Sequence, residues 1–143
     1  MQNKELVDLE NNKMLRSENI EYNSDSLKNT LDKIIESGNN DVGEYVKYEN
    51  GRLVTAHKVT RNLSRTSAWG NMYETNEQAD LGNFPMTFKE IPYIFLTLYG
   101  QNALFESVAE ASKTSAGKVY LLSPTANSSS DYTIQVLAVG KWK

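Results

Sequence analysis

Cysteine is absent from the 143 residues, which removes disulfides, thiol nucleophiles and thiolate-held metals in one step. Histidine occurs once, at His57. A metal site built from imidazoles therefore lacks a second ligand, and His57 reads as a packed or hydrogen-bonded structural residue. No apolar run approaches the roughly 18 residues of a membrane-spanning helix. The opening MQNKELVDLENN lacks both the basic region and the apolar core of a secretion signal. The expectation is a chain with no membrane insertion and no export address of its own. P-loop, GxGxxG, HExxH and EF-hand patterns are missing too, leaving phosphate cradles, dinucleotides, zinc and loop-held calcium without sequence support. The reading is a non-enzymatic chain with no cofactor, no metal and no catalytic residues.

Positive charge is not in excess either. Lys and Arg number 15 against 18 Asp and Glu, a net charge of −3. Residues up to Asn40 hold five basic against eight acidic groups, whereas residues 41–143 hold ten of each. A neutral body without a basic stripe is a poor partner for nucleic acid or for anionic lipid.

What is present falls into two parts. Residues 1–38 contain no proline and no glycine before Gly38, and are rich in Asn, Glu, Asp, Lys and Leu. Between Ser24 and Ser37, Leu27, Leu31 and Ile34 recur at intervals of four and three, with Ile20 one heptad ahead of Leu27, a narrow seam that predicts a coiled-coil-like helix. Ser24 or Ser26 with Asp25 would cap its start, and Gly38-Asn39-Asn40 would stop it. An isolated helix of this length is marginal in water, so the seam predicts oligomerisation. One amphipathic helix packed on its own domain is the plainer alternative.

From residue 39 the period changes to two. EYVKYENGRLVTAHKVT (44–60) predicts a hairpin with a two-residue type I′ turn at Asn50-Gly51. Further strands are expected at 84–88, 92–99, 103–111, 117–123 and 131–142, separated by Gly, Pro, Asn or Ser. In the last of these Tyr132, Ile134, Val136, Ala138 and Trp142 share one face and read as core. No amphipathic helical stretch intervenes. The fold class is mainly β, an antiparallel β-sandwich over 39–143 preceded by the helical oligomerisation or stalk segment 1–38.

Three phrases in this second part carry a resemblance: IIESGNNDVGEYVKYENGRLVTAHKV, FPMTFKEIPYIFLT, and the closing VYLLSPTANSSSDYTIQVLAVGKWK. In that order they resemble the C-terminal receptor-binding domain of bacteriophage tail fibre and baseplate proteins, a β-sandwich likened to H-type lectins. The match covers residues 34–143. The resemblance implies a homotrimeric viral protein of the virion tail, assembled in the host cytoplasm, attaching to a host cell-surface polysaccharide or protein receptor and joined to other tail or baseplate proteins. The phrases themselves read as framework. Asn50-Gly51 turns the chain, Pro85 and Pro92 bracket a strand, and Gly140 permits a close backbone approach near Trp142.

Ligand contacts are sought where strand pattern is weakest, in Asn62–Asn83. Trp69 and Tyr73 offer stacking surfaces for the C–H faces of sugars, while Arg65, Asn71 and Asp80 offer directional polar contacts. Trp69 beside Ala68 reads equally as core. The polar stretch Thr125–Asp131 reads as a surface hairpin loop. Two other functions stay open, a structural tail component without receptor binding and a glycan hydrolase. For the latter, Glu106 and Glu110 would share a strand face about 13 Å apart, too far for the roughly 5–9.5 Å of paired glycosidase carboxylates.

Overall fold

The structure, a computed structural model, describes residues 33–99 and 102–143. Among these the elements are β1 (Ile34–Asn39), β2 (Gly43–Tyr48), β3 (Arg52–Arg65), β4 (Ser67–Trp69), β5 (Met72–Glu74), β6 (Ala79–Asp80), β7 (Tyr93–Tyr99), β8 (Leu104–Phe105), β9 (Lys118–Val119), β10 (Leu121–Ser123) and β11 (Asn127–Lys141), with no helix. All strand pairs are antiparallel. They form a five-stranded sheet ordered β1-β2-β3-β11-β7, a four-stranded sheet ordered β4-β5-β10-β8, and the pair β6-β9.

The long central ladder of β3 and β11 runs from Arg52↔Lys141 to Arg65↔Asn127. Its inward phase follows from alternation. Leu53, Thr55, His57, Leu63 and Arg65 on β3 are buried, as are Tyr132, Ile134, Val136 and Ala138 on β11. The expected core phase of the last strand is therefore present, with Trp142 half-buried. The same core takes Ala79 from β6, Val119 from β9 and Leu121 from β10, together with Leu81, Phe84 and Phe88. A second layer thus closes over the inner face of the five-stranded sheet.

Several expectations are corrected. Ile34–Ser37 is strand, not helix: β1 pairs with β2 through Ser37↔Val46 and Gly38↔Tyr45. Ile34 therefore leaves the proposed seam, while Ile20, Leu27, Leu31 and the rest of the helical reading of residues 1–32 lie outside the described residues. The expected helix stop at Gly38-Asn39-Asn40 is instead the end of β1 and the start of a hairpin loop, in which Asn40 Oδ1 accepts from the N–H groups of Val42 and Gly43. The Asn50-Gly51 turn is not type I′. Gly51 has φ 91° and Asn50 is not at positive φ; the Gly51 N–H donates to Tyr48 O at 3.0 Å. That is a three-residue loop, a type I turn closed by a left-handed glycine, the next commonest hairpin connection.

Residues 84–88 are not a strand. Phe84 and Phe88 are nevertheless buried, stacked edge-to-face at 5.0 Å, and their N–H groups donate to Thr114 O and Lys113 O. Of 103–111 only Leu104–Phe105 is a strand. Asn62–Asn83 is not an irregular loop but holds the end of β3 and all of β4, β5 and β6. Asn127–Asp131 belongs to β11, with a register shift between Asn127 and Ser130. The three-residue strands are too short for alternation to show, and polar pairs at the ends of the central strands, such as Ser129–Asn62, carry no hydrophobic signal.

The chain end is fixed to the first hairpin. Trp142 donates from its backbone N–H to Gly51 O and from Nε1 to Tyr48 O at 3.0 Å. A Cβ on Gly140 would lie 2.9 Å from Phe88 Cδ1 and 3.0 Å from Pro92 Cβ, which accounts for the glycine expected at a close approach.

Candidate functional site

The five residues singled out in the sequence separate into three environments. Arg65, at the end of the inward phase of β3, is buried. Its Nε donates to Thr125 O at 3.1 Å and Nη1 to Asn102 O at 3.5 Å, with the guanidinium 5.7 Å from the Tyr132 ring centroid. These contacts face inward and tie β3 to two loops. Asp80 lies on β6, its carboxylate accepting from the Gly82 N–H and its carbonyl from Arg61 Nε.

Trp69, Asn71 and Tyr73 share the β4-β5 hairpin, whose two loop residues are Gly70 and Asn71. Gly70 has φ 62°, the positive first position that a type II′ loop takes. The base of the hairpin is held by Asn76 Oδ1, which accepts from the Thr66 and Ser67 N–H groups and from the Thr66 hydroxyl. In the register Trp69 faces Met72 and Ala68 faces Tyr73. Directly opposed residues point to one side and consecutive residues to opposite sides. Trp69 and Tyr73 therefore present to opposite faces and do not make one platform. Trp69 is 51% exposed, which answers the core alternative for that residue, and Asn71 beside it is exposed.

A small polar recess of about 230 Å³ lies around Asp80, Asn83, Glu110, Ser115 and Lys118. Glu110 has φ 57° and pairs with Lys118 at 2.8 Å; that hydrogen bond holds the Lys118 ammonium above its ordinary value. Gly117 in its wall has φ 83°, and a Cβ there would lie 2.2 Å from Ala109 O. Glu106 and Glu110 do not share a strand, since β8 ends at Phe105. Among the described residues no three His, Asp or Glu side chains converge as a metal set.

His57 is buried on the inner face, Nε2 2.8 Å from Leu81 O and the ring edge-to-face with Phe84 at 6.2 Å. To donate there Nε2 carries the proton. This is the structural role expected of it.

No protein-family model matches the chain, and no curated protein is similar to it. Among solved structures the chain is similar to a P. aeruginosa R1 pyocin fibre fragment comprising C-terminal residues 323–701, with 18% identity and a TM-score of 0.42. The match covers 74% of this chain and 28% of that one, so the chain spans under a third of the fragment's length.

The sequence reading missed the outer face of the five-stranded sheet. Opposed residues form two cross-strand rows: Val46, Val54, Val139 and Tyr93, then Glu44, Ala56, Leu137 and Phe95. Tyr93, Phe95, Tyr99 and Leu137 are exposed, and small Ala56 lies in a shallow trough of about 670 Å³ between Lys58, Phe95 and Leu137. The signal was present in YIFLTLY (93–99), where one phase is wholly aliphatic and the other is aromatic except for Thr97, close to the pattern of a strand covered on two faces.

Proposed function

We propose that the chain is the host-contacting tip module of a bacteriophage tail fibre or baseplate, a homotrimer in the virion tail, assembled in the host cytoplasm, that binds a cell-surface glycan. The observation that carries the reading is the exposed Trp69 beside Asn71 on a hairpin pinned at its base by Asn76. An indole held in solvent on a rigid support offers a stacking surface for a sugar ring, and the neighbouring amide offers both a donor and an acceptor for hydroxyls. The three ordered phrases support it as framework, through the Gly51 loop, the buried Phe84 and Phe88, and the Gly140–Trp142 latch. Arg65 serves that framework, Asp80 lies on a different sheet, and Tyr73 faces away from Trp69, so the contact set narrows to Trp69 and Asn71.

The test is a glycan array and a host-cell adsorption assay on the full chain. Trp69→Ala should weaken binding by about 1–3 kcal/mol, on the scale of base–aromatic stacking, with the melting temperature retained. A purely structural tail component is the second reading, favoured by the exposed apolar sheet face. Unchanged adsorption with Trp69→Ala would favour it.

A further inference from the structure

We infer that the outer face of β7 and β11 is a second glycan-contact surface, which takes an extended, uncharged polysaccharide chain lying along β7. Tyr93, Phe95 and Tyr99 occupy one phase of that strand and are 78%, 57% and 71% exposed. The other phase, Ile94, Leu96 and Leu98, packs on the core. That packing fixes the strand, so the rings stand on a rigid support rather than on a loop. At about 3.3 Å per residue, Tyr93 and Phe95 are roughly 7 Å apart along the strand and Tyr93 and Tyr99 roughly 20 Å apart. One sugar unit cannot span that length, whereas a chain of several units can stack its C–H faces on successive rings.

The side chains between and beside the rings suit hydroxyls. Across the sheet Thr97 is opposed by Gln135 and Gln135 by Lys58, while Tyr99 is opposed by Thr133 and Thr133 by Thr60. Thr97, Gln135 and Lys58 are exposed and border, with Glu44, the trough of about 670 Å³ over Ala56. The amide of Gln135 and the hydroxyl of Thr97 both donate and accept, as sugar hydroxyls do. This polar row separates Phe95 and Leu137 from Tyr99, so the exposed apolar surface is not the continuous centre that a buried protein contact has. Charge selects the same class of ligand. The strand β7 carries none, and the trough beside it is bordered by one acid, Glu44, and one base, Lys58; an uncharged chain is the complement of such a face and a polyanion is not. The inference rests on the glycan part of the proposed function and adds a surface to it. It does not depend on Trp69, which lies on the other sheet.

The test is a glycan array printed with uncharged linear glucans, mannans and galactans of increasing length, with polygalacturonate as the anionic control. It is read with the full chain and with its Tyr93→Ala, Tyr99→Ala, Tyr93→Phe and Trp69→Ala variants. At least one uncharged series should be captured, more tightly as its chains lengthen and in preference to polygalacturonate. Tyr93→Ala and Tyr99→Ala should each weaken that capture roughly tenfold, on the scale of one lost stacking contact, with the circular dichroism spectrum and the light-scattering mass unchanged. Tyr93→Phe should retain it, because the ring remains. No capture of any uncharged series, capture independent of chain length, preference for polygalacturonate, or a Tyr93→Ala chain that binds as the parent does would overturn the inference. So would a changed mass in Tyr93→Ala, since protein would then cover the face. Should Trp69→Ala remove all capture while Tyr93→Ala removes none, this inference fails and the site at Trp69 stands; loss of capture in Tyr93→Ala, with host adsorption unmoved by Trp69→Ala, is the reverse.

Discussion

Arg65 shows how a residue can be misread when only its neighbours in sequence are visible. It follows Leu53, Thr55, His57 and Leu63 in the inward phase of β3, so its position in the alternation pointed inward while its chemistry suggested a surface contact. Two carbonyls and the Tyr132 ring satisfy the guanidinium. Arg65→Ala should destabilise the domain by about 2–4 kcal/mol, because charged hydrogen bonds are lost and two loop carbonyls lose their donor; chemical denaturation measures it. Any effect on binding should follow stability alone. Gly51, read correctly as a turn glycine, has φ 91° with its amide held by Tyr48 O. Gly51→Val should cost about 1–3 kcal/mol, the price of a left-handed conformation for a branched side chain, and thermal unfolding should show it.

At the scale of elements, long alternating strands were legible and short or polar ones were not. The strand at 52–60 and the core phase of β11 follow from period two, whereas the pairing of β3 with β11 does not. By contrast β4, β5 and β6 are two or three residues each, below the length at which alternation is distinguishable from chance. The 84–88 segment has strand-like composition but is held by isolated hydrogen bonds and two phenylalanine anchors. Ile34 looked helical because its i−3 and i−7 neighbours are leucines, yet β1 is fixed by cross-strand pairing that no local pattern reveals. Glu36 takes part in that pairing, accepting from Lys47 Nζ and Tyr45 OH, each at 2.8 Å. The Lys47 and Tyr45 hydrogen bonds hold the Glu36 carboxyl below its ordinary value. A depressed carboxylate contributes stability above the ordinary glutamate range and loses it as pH falls through the folded value. Hydrogen exchange of β1 amides, corrected for intrinsic rates, should therefore show weaker protection near about pH 3 than near neutrality, and Glu36→Gln should abolish the difference.

For the whole molecule, the sequence conveyed a mainly β, antiparallel body and its framework phrases, and it conveyed the exposed tryptophan as one of two readings. It did not convey that Trp69 and Tyr73 point apart, because that depends on the register of a hairpin with two loop residues. Nor did it convey the apolar outer face, which appears only when Phe95, Leu137, Ala56 and Glu44 fall into one row across four strands. Competition for host adsorption by the purified full chain, with Trp69→Ala and Asn71→Ala alongside, decides whether the hairpin contacts the host. The unaltered chain should block phage adsorption, Trp69→Ala should lose roughly fivefold to a hundredfold in potency, and both variants should keep the parent melting temperature. A Trp69→Ala chain that competes as well as the parent would rule out Trp69 as the host contact.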